Sequence, residues 1–303
     1  MGSIQRNEET VRKHYNRFFD LQDRQKMYAD CDWTQRPPIV NLGYWTRGAV
    51  TARDAQVAFV QELASRLTNL RGSRVLDVGS GLAGPAVILA ADYGAEVDCL
   101  NINEQQVQWA RRFIEGNGLQ SSIRVHVASA MDIVFRSEFD FVFCLESAHC
   151  YADKSRFLSG ALNALRPGGH LLLADIAGTT HFLPAAYQPA LKLNLITSKD
   201  WIKMTEKAGF VVESCDSVRD CVYPGYRHWL KGTAAERRTR IFNKLSEAGT
   251  SVPLRPIKQV KAWALELAYC RSVLPLFSWL GLRDYFVILA RKGVTDLPKN
   301  RAD

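Results

Sequence analysis

The chain places acids and an imidazole where apolar runs end. In Cys144-Leu145-Glu146-Ser147-Ala148-His149-Cys150-Tyr151 a histidine follows directly on a strand-like run, and Asp175 closes the run Leu171-Leu172-Leu173-Ala174. If the two runs are neighbouring strands, both side chains lie at one sheet edge. A carboxylate beside an imidazole fixes its tautomer and stabilises the imidazolium formed on proton uptake, so His149 with Asp175 would make a general base. The alternative is that His149 caps a loop or packs beside a ligand and moves no proton. Glu146 either holds one side of a ligand pocket or carries a proton itself, and the first reading is favoured. His181, just beyond the same strand, could reach a substrate, while His14, His126, His170 and His228 are read as structural.

A second constellation is Val75-Leu76-Asp77-Val78-Gly79-Ser80-Gly81-Leu82-Ala83-Gly84. An apolar run ending in Asp-x-Gly-x-Gly before an alanine-rich helix describes a strand, a glycine turn and a nucleoside pocket. A side chain at Gly79 or Gly81 would fill space that a ligand needs. The spacing Gly79-x-Gly81-x-x-Gly84 by itself also fits a dinucleotide site. Two details favour S-adenosylmethionine (SAM) instead. Asp77 would set a carboxylate at the strand end, where it attracts a cationic amino group and repels a pyrophosphate. The next strand ends at Asn101, where a nicotinamide dinucleotide site wants an acid for the ribose hydroxyls.

These residues need a scaffold that brings strand ends together. From Arg74 onward, apolar strands alternate with amphipathic helices: strand 74–78, helix 84–93, strand 96–100, helix 104–116, strands 123–127 and 139–144, helix 153–165 and strand 169–175. Such alternation implies a parallel sheet with helices on both faces, whose ligands bind beyond the carboxyl ends of the strands. Asp77, Asn101, Ser129, Glu146 and Asp175 all fall at those ends, so one pocket can collect them. Helix 198–208 is followed by strands 210–216 and 284–291, a closing pair separated by a long insertion with helical periodicity over 234–247 and 257–282. Helices over 8–30 and 51–67 precede the first strand. The organisation expected is an N-terminal helical cap segment over 1–70, a SAM-binding core over 71–218, a helical substrate-cap insertion over 219–283, a final core strand over 284–293 and a tail over 294–303.

The 303 residues, 47% of them hydrophobic, suffice for one large core or a core with a cap. No apolar signal segment opens the chain and no run reaches membrane-spanning length, so stable membrane insertion is not expected and the cytoplasm is the expected compartment. Seven cysteines without paired spacing read as thiols of a reducing compartment, and no zinc-ligand set is present. The net charge of +8 is spread, apart from a cluster between Arg219 and Lys244 that alternates with acids and aliphatics as a solvated helix does. Attraction of an anionic substrate or a membrane surface is the alternative for that cluster. Nucleic-acid binding is not expected, because no aromatic platform accompanies the charge.

The glycine motif, the turn Leu165-Arg166-Pro167-Gly168-Gly169 before a strand, and the segment Asn41-Leu42-Gly43-Tyr44-Trp45 occur together and in order. In this the chain resembles the class I SAM-dependent methyltransferases of small molecules, among them the rebeccamycin-type sugar O-methyltransferases, tocopherol methyltransferases and cyclopropane synthases. The resemblance runs from about Tyr15 to Lys292. It implies an α/β, Rossmann-like sheet, mostly parallel with the last strand antiparallel, under an α-helical cap. It also implies that Gly79, Ser80 and Gly81 line the methionine part of SAM. Asn101, Ile102 and Gln106 would face the ribose, and Ser129, Ala130 and Met131 the adenine. Tyr15, Tyr44 and Trp45 would form an aromatic lid, Asn41 would donate to the cofactor carboxylate, and Glu146 would hold the cofactor side. Asn101 and Ser129 stand where acids are frequent in the family. An amide or a hydroxyl accepts hydrogen bonds there less strongly than a carboxylate. For the lid rings, ordinary core packing is the competing reading.

Methyl transfer from SAM is an in-line displacement, so alignment carries most of the catalysis, at about 7–11 kcal/mol for well-positioned reactants. A positioned base adds roughly 10²–10⁴-fold where the acceptor is a hydroxyl. Trp201, Tyr223, Tyr226, Trp229, Trp263, Phe277 and Trp279 point to a mainly apolar small-molecule substrate, although several of them must be helix core. The expected activity is O-methylation with His149 as base and Asp175 as its partner. Carbon methylation of a terpenoid, polyketide or aromatic substrate is the nearest rival. A non-catalytic SAM-binding scaffold and a dinucleotide oxidoreductase are the others. The oligomeric state is open.

Overall fold

In the computed structural model of the protein, residues 9, 34–46, 48–178, 194–227 and 284–294 are described. The expected helix over 8–30, the Tyr15 site, His181, the helices over 234–247 and 257–282 and the tail lie outside these residues, Glu9 and Val294 apart. The ordered elements are α1 (Ala52–Ser65), β1 (Arg74–Val78), α2 (Gly84–Tyr93), β2 (Glu96–Asn101), α3 (Glu104–Gly116), β3 (Ile123–Val127) and β4 (Phe139–Leu145). They continue with α4 (Lys154–Ala164), β5 (Leu165–Ala177), α5 (Ser198–Lys207), β6 (Phe210–Ser217) and β7 (Asp284–Lys292). A helix α6 at 219–227 opens the insertion.

The described residues form a seven-stranded sheet in the order β3-β2-β1-β4-β5-β7-β6. Neighbours pair in parallel from β3 through β5, and β7 runs antiparallel to both β5 and β6. The chain thus reverses order at β1, with β2 on one side and β4 on the other, and the ends of these strands open a crevice. Strands buried on both faces read as nearly continuous apolar runs. In β7, Tyr285 and Val287 join the core on one face while Phe286 and Ile288 join the core on the other.

Local chemistry sets the helix boundaries. Thr51 and Asp54 form a capping box on α1, which buries Ala55, Phe59, Val60, Leu63 and Ala64 along one stripe. That stripe packs into the same core as α2 and Tyr285, so α1 lies against the sheet. Asn103, Asp153 and Thr197 cap α3, α4 and α5 through their side chains. On the opposite face, α4 and α5 pack with Trp201, which is 1% exposed and tilted 5.9 Å from the Phe286 ring. Trp201, grouped by sequence with the substrate aromatics, is therefore sheet core.

The strand after α4 begins earlier than its sequence suggests. Leu165 pairs with Phe139, and the register then shifts before His170 meets Phe141, so Arg166-Pro167-Gly168-Gly169 forms an irregularity within β5. Gly169 is needed there because a Cβ would stand 2.9 Å from the Asp140 carbonyl oxygen.

Candidate active site

The loops after β1, β2, β3 and β4 surround a cleft of about 1180 Å³, counting the space open to solvent at its mouth. Drug-sized and cofactor-sized ligands need pockets of about 300–1,000 Å³, so a nucleoside with an amino-acid arm fits. Asp77, Gly79, Ser80 and Gly81 form one wall, Asn101, Ile102 and Gln106 a second, and Ala128 through Met131 a third. Glu146, Ser147, Cys150 and Tyr151 close it from β4, and Pro38, Ile39 and Val40 reach it from the N-terminal side.

The two glycines after β1 have different reasons to be glycine. Both hold positive φ, +79° at Gly79 and +57° at Gly81, which glycine adopts without strain. A Cβ on Gly79 would stand 2.4 Å from the Ser147 side chain, whereas a Cβ on Gly81 would meet nothing within 4 Å. Gly79 therefore serves the packing of the protein on itself, and Gly81 leaves ligand space open. Ser147 holds this contact by donating its hydroxyl to the Val78 carbonyl at 3.0 Å, with the Tyr151 hydroxyl 2.8 Å away.

Asp77 is 2% exposed, and its Oδ2 has no hydrogen-bond partner among the described residues. Burial pushes its pKa up to about 7. A buried carboxylate oxygen without a partner on a cleft wall is a site for a cation or a donor, because leaving it unpaired is costly. This is the feature that suits the ammonium end of SAM.

Asn101 is occupied more fully than its sequence position suggests. Its amide nitrogen donates to the Gly81 carbonyl at 2.9 Å and to Gln106 Oε1 at 2.7 Å, and its oxygen accepts from the Asn103 N–H at 2.9 Å. The residue ties the end of β2 to the glycine turn, a task that needs a donor and that a carboxylate could not perform. Ser129 accepts from the Met131 N–H at 3.0 Å. The neighbouring Asp132 pairs with Arg156 at the surface.

Of the residues expected as lid and carboxylate donor, the described ones, Asn41, Tyr44 and Trp45, do not line the cleft. Tyr44 stacks on Phe59 with centroids 5.8 Å apart, and Trp45 Nε1 donates to the Leu42 carbonyl at 2.8 Å. The Asn41 amide donates to the Gln56 carbonyl at 3.4 Å, while its oxygen accepts from the Gly43 N–H at 2.8 Å. Helix α6 packs against this segment so tightly that a Cβ on Gly225 would lie 1.6 Å from the Leu42 carbonyl oxygen. The rings are thus spent in packing 41–46 between α1 and α6.

Glu146 joins three elements at the cleft. It adopts φ +48°, and its Oε1 accepts from the Leu42 N–H and the Tyr285 hydroxyl, each at 2.9 Å. Burial raises its pKa to about 7 against the opposing pull of those two bonds. This geometry gives Glu146 a holding role toward 41–46 and β7.

His149 lies in a short 3-10 turn, Ala148–Cys150, directly after β4. Asp175, fully buried at the end of β5, accepts twice from it: Oδ2 takes the His149 N–H at 2.8 Å and Oδ1 lies 2.7 Å from Nδ1. A third bond, from the Ile176 N–H at 2.8 Å, fixes the carboxylate. Burial pulls the imidazole pKa down, but the adjacent Asp175 carboxylate and the Cys150 side chain together outweigh it and leave the pKa well above its usual value. His149 stands next to the cleft, whose wall includes its neighbour Cys150.

Sequence reasoning passed over Lys154. Its side chain is buried, and its ammonium donates to the carbonyls of Ala148 and Tyr151 at 3.0 and 3.1 Å and sits 5.3 Å from the Trp201 ring centroid. Burial lowers its pKa to about 8, opposed by Asp175. The signal was available: Lys154 shares the apolar stripe of α4 with Phe157, Leu158 and Ala161. Outside the cleft, His126 pairs with the buried Asp98 at 2.8 Å, a structural contact between β2 and β3. Among the described residues no cluster could hold a metal ion. Nor is any helix among them long and apolar enough to cross a membrane.

Comparison with known proteins agrees with this geometry. A family model described as "Methyltransferase domain" matches residues 76–173. Over 220 residues the chain is 30% identical to an erythromycin 3''-O-methyltransferase of Saccharopolyspora erythraea, covering 67% of this chain and 72% of that protein. It is 29% identical over 193 residues to the O-methyltransferase cnsE of Penicillium expansum, covering 61% and 70%. Among solved structures, the [4+2]-cyclase SpnF superposes with a TM-score of 0.69 at 18% identity, covering 93% of this chain and 96% of that one.

Proposed function

Because the chain belongs to the class I SAM-dependent methyltransferases of small molecules, we propose that it methylates a hydroxyl oxygen of a mainly apolar metabolite, with His149 as base. The observation that carries this reading is the doubly bonded contact of His149 with the buried Asp175 beside the cleft. Relatives whose names specify an oxygen acceptor support it.

Bound SAM supplies an electrophilic methyl group on a sulfonium sulfur. Asp77 receives the cofactor's ammonium on its unpartnered oxygen. Gly81 gives the chain room to pass, Asn101 holds the turn, and Gln106 with Ile102 faces the ribose. Ser129, Ala130 and Met131 border the adenine. Glu146 ties the 41–46 segment to β7 beside the cleft. With a hydroxyl acceptor in place, His149 Nε2 would take the hydroxyl proton as the oxygen receives the methyl group. Nδ1–H stays on Asp175, which stabilises the resulting imidazolium. Because Asp175 raises the histidine's pKa, the imidazole must shed a proton before each such turnover, and oxygen transfer speeds up with rising pH.

Methyl-labelled SAM incubated with the protein and hydroxylated apolar metabolites should yield labelled ethers by mass spectrometry, and His149→Ala should abolish them. Label fixed on carbon, with turnover retained in His149→Ala, would overturn the oxygen assignment. A carbon acceptor is the second reading, favoured by the raised pKa of His149, since an electron-rich carbon needs alignment more than a base.

A further inference from the structure

The one buried lysine near the proposed base has no part in the mechanism above. Lys154 enters from the first turn of α4, beneath the turn that carries His149, and binds both ends of that turn through the carbonyls of Ala148 and Tyr151. The Trp201 ring covers it from α5. Among the described residues the ammonium contacts no carboxylate directly. It nonetheless converges with Asp175 on one turn, the carboxylate holding the N–H and ring of His149 and the ammonium holding the carbonyls on either side of it. The other titratable groups facing this pair are Cys144, Glu146 and Cys150 from β4 and the turn, Tyr151 beyond it, and Tyr285 from β7. None of these can be a cation, so among the described residues Lys154 is the only positive group besides His149 itself in this buried set.

We propose that Lys154 is a positioning residue for the base, a second cation that pins the His149 turn on the side opposite Asp175, so that the imidazole can surrender its proton. Without it, Asp175 would have the imidazolium as its sole counter-cation and would hold that proton more tightly. With it, the carboxylate stays compensated when His149 becomes neutral. A lysine suits the place because its compact ammonium can reach two backbone carbonyls at once. The inference rests on the reading of His149 and Asp175 as the proton-accepting pair.

The test follows the ring nitrogens of His149 by ¹⁵N NMR across pH in the full-length protein, with the signal assigned by its loss in His149→Gln. Lys154→Met should raise the His149 midpoint, with about a tenfold lower acid dissociation constant. Lys154→Gln, which keeps a donor but removes the charge, should do the same, and Lys154→Arg should return the midpoint close to wild type. An unmoved or lowered midpoint in either neutral variant overturns the proposal, because a lysine that only clamps the turn gives that result. If neither neutral variant melts cooperatively, the wild-type curve decides. Coupling of about one unit to a lysine that titrates near 8 must broaden the His149 curve beyond that of a single proton, and a single-proton curve overturns the coupling. Calorimetry with S-adenosylhomocysteine on the wild type is the separate check on the cofactor site, so failure of that reading is distinguishable from failure of this one.

Discussion

The pH dependence of cofactor binding should report directly on Asp77. Its pKa near 7 in the free protein comes from burial with one oxygen unpartnered. An ammonium bound there lowers that pKa, so binding below neutrality must expel a proton. At pH 6 roughly one tenth of Asp77 is ionised, against half at pH 7, so affinity for S-adenosylhomocysteine should fall about fivefold across that unit and approach tenfold per unit, about 1.4 kcal/mol, at lower pH. Calorimetry in buffers of different ionisation enthalpy should find close to one proton released at pH 6 and almost none at pH 8. Asp77→Asn should flatten this dependence and weaken binding at pH 8 by about 10- to 100-fold, the worth of a charge-assisted bond of roughly 1.5–3 kcal/mol. Dependence that survives the substitution would belong to Glu146, which also has a pKa of about 7 at this cleft. The stability sign is opposite to the binding sign. A raised folded-state pKa means that the fold favours protonated Asp77, so without ligand the protein loses stability as pH rises from about 4 to about 7. Asp77→Asn should therefore melt higher than wild type at pH 8 while binding more weakly. A wild-type affinity that stays flat between pH 5.5 and 8 would refute the reasoning.

The two turn glycines should separate packing from binding. Gly79→Ala drives a methyl into Ser147 and should lower the melting temperature markedly, whereas Gly81→Ala meets open space, costs only the backbone strain of about 1 kcal/mol, and should lose cofactor affinity with little loss of fold. For an oxygen acceptor, His149→Gln should cut turnover by about 10²–10⁴-fold while calorimetry finds S-adenosylhomocysteine binding within twofold of wild type. The His149–Asp175 pair also stabilises the fold. Because the folded pKa lies above the unfolded one, that stabilisation is fully present below about pH 6.5 and is lost as pH rises through the raised value, which melting curves of wild type and His149→Gln should reveal as a converging difference. Trp201→Ala, which empties a fully covered site against Phe286, should cost about 3–5 kcal/mol by chemical denaturation.

Short-range pattern determined the scaffold. Short apolar runs such as Phe141–Leu145, alternating with amphipathic helical patterns, read as strands buried on both faces, and the caps at Thr51, Asn103, Asp153 and Thr197 mark helix starts in the sequence itself. Because parallel strands gather their carboxyl ends at one edge, the meeting of Asp77, Asn101 and Glu146 at one cleft was legible too, as was the pairing of His149 with Asp175 on adjacent strands. What each side chain does once it arrives was decided only by tertiary contacts. The sequence offers one motif for Gly79 and Gly81, but it is the approach of Ser147 from β4 that separates them. Tyr44 and Trp45 look alike as lid or as core until α1 and α6 close around them. Lys154 reads as the first charged residue of a helix until burial under the His149 turn leaves its ammonium two carbonyls and a ring for company. Periodicity records which face of an element is buried, but not which partner arrives on that face, and polar groups take their roles from the partner.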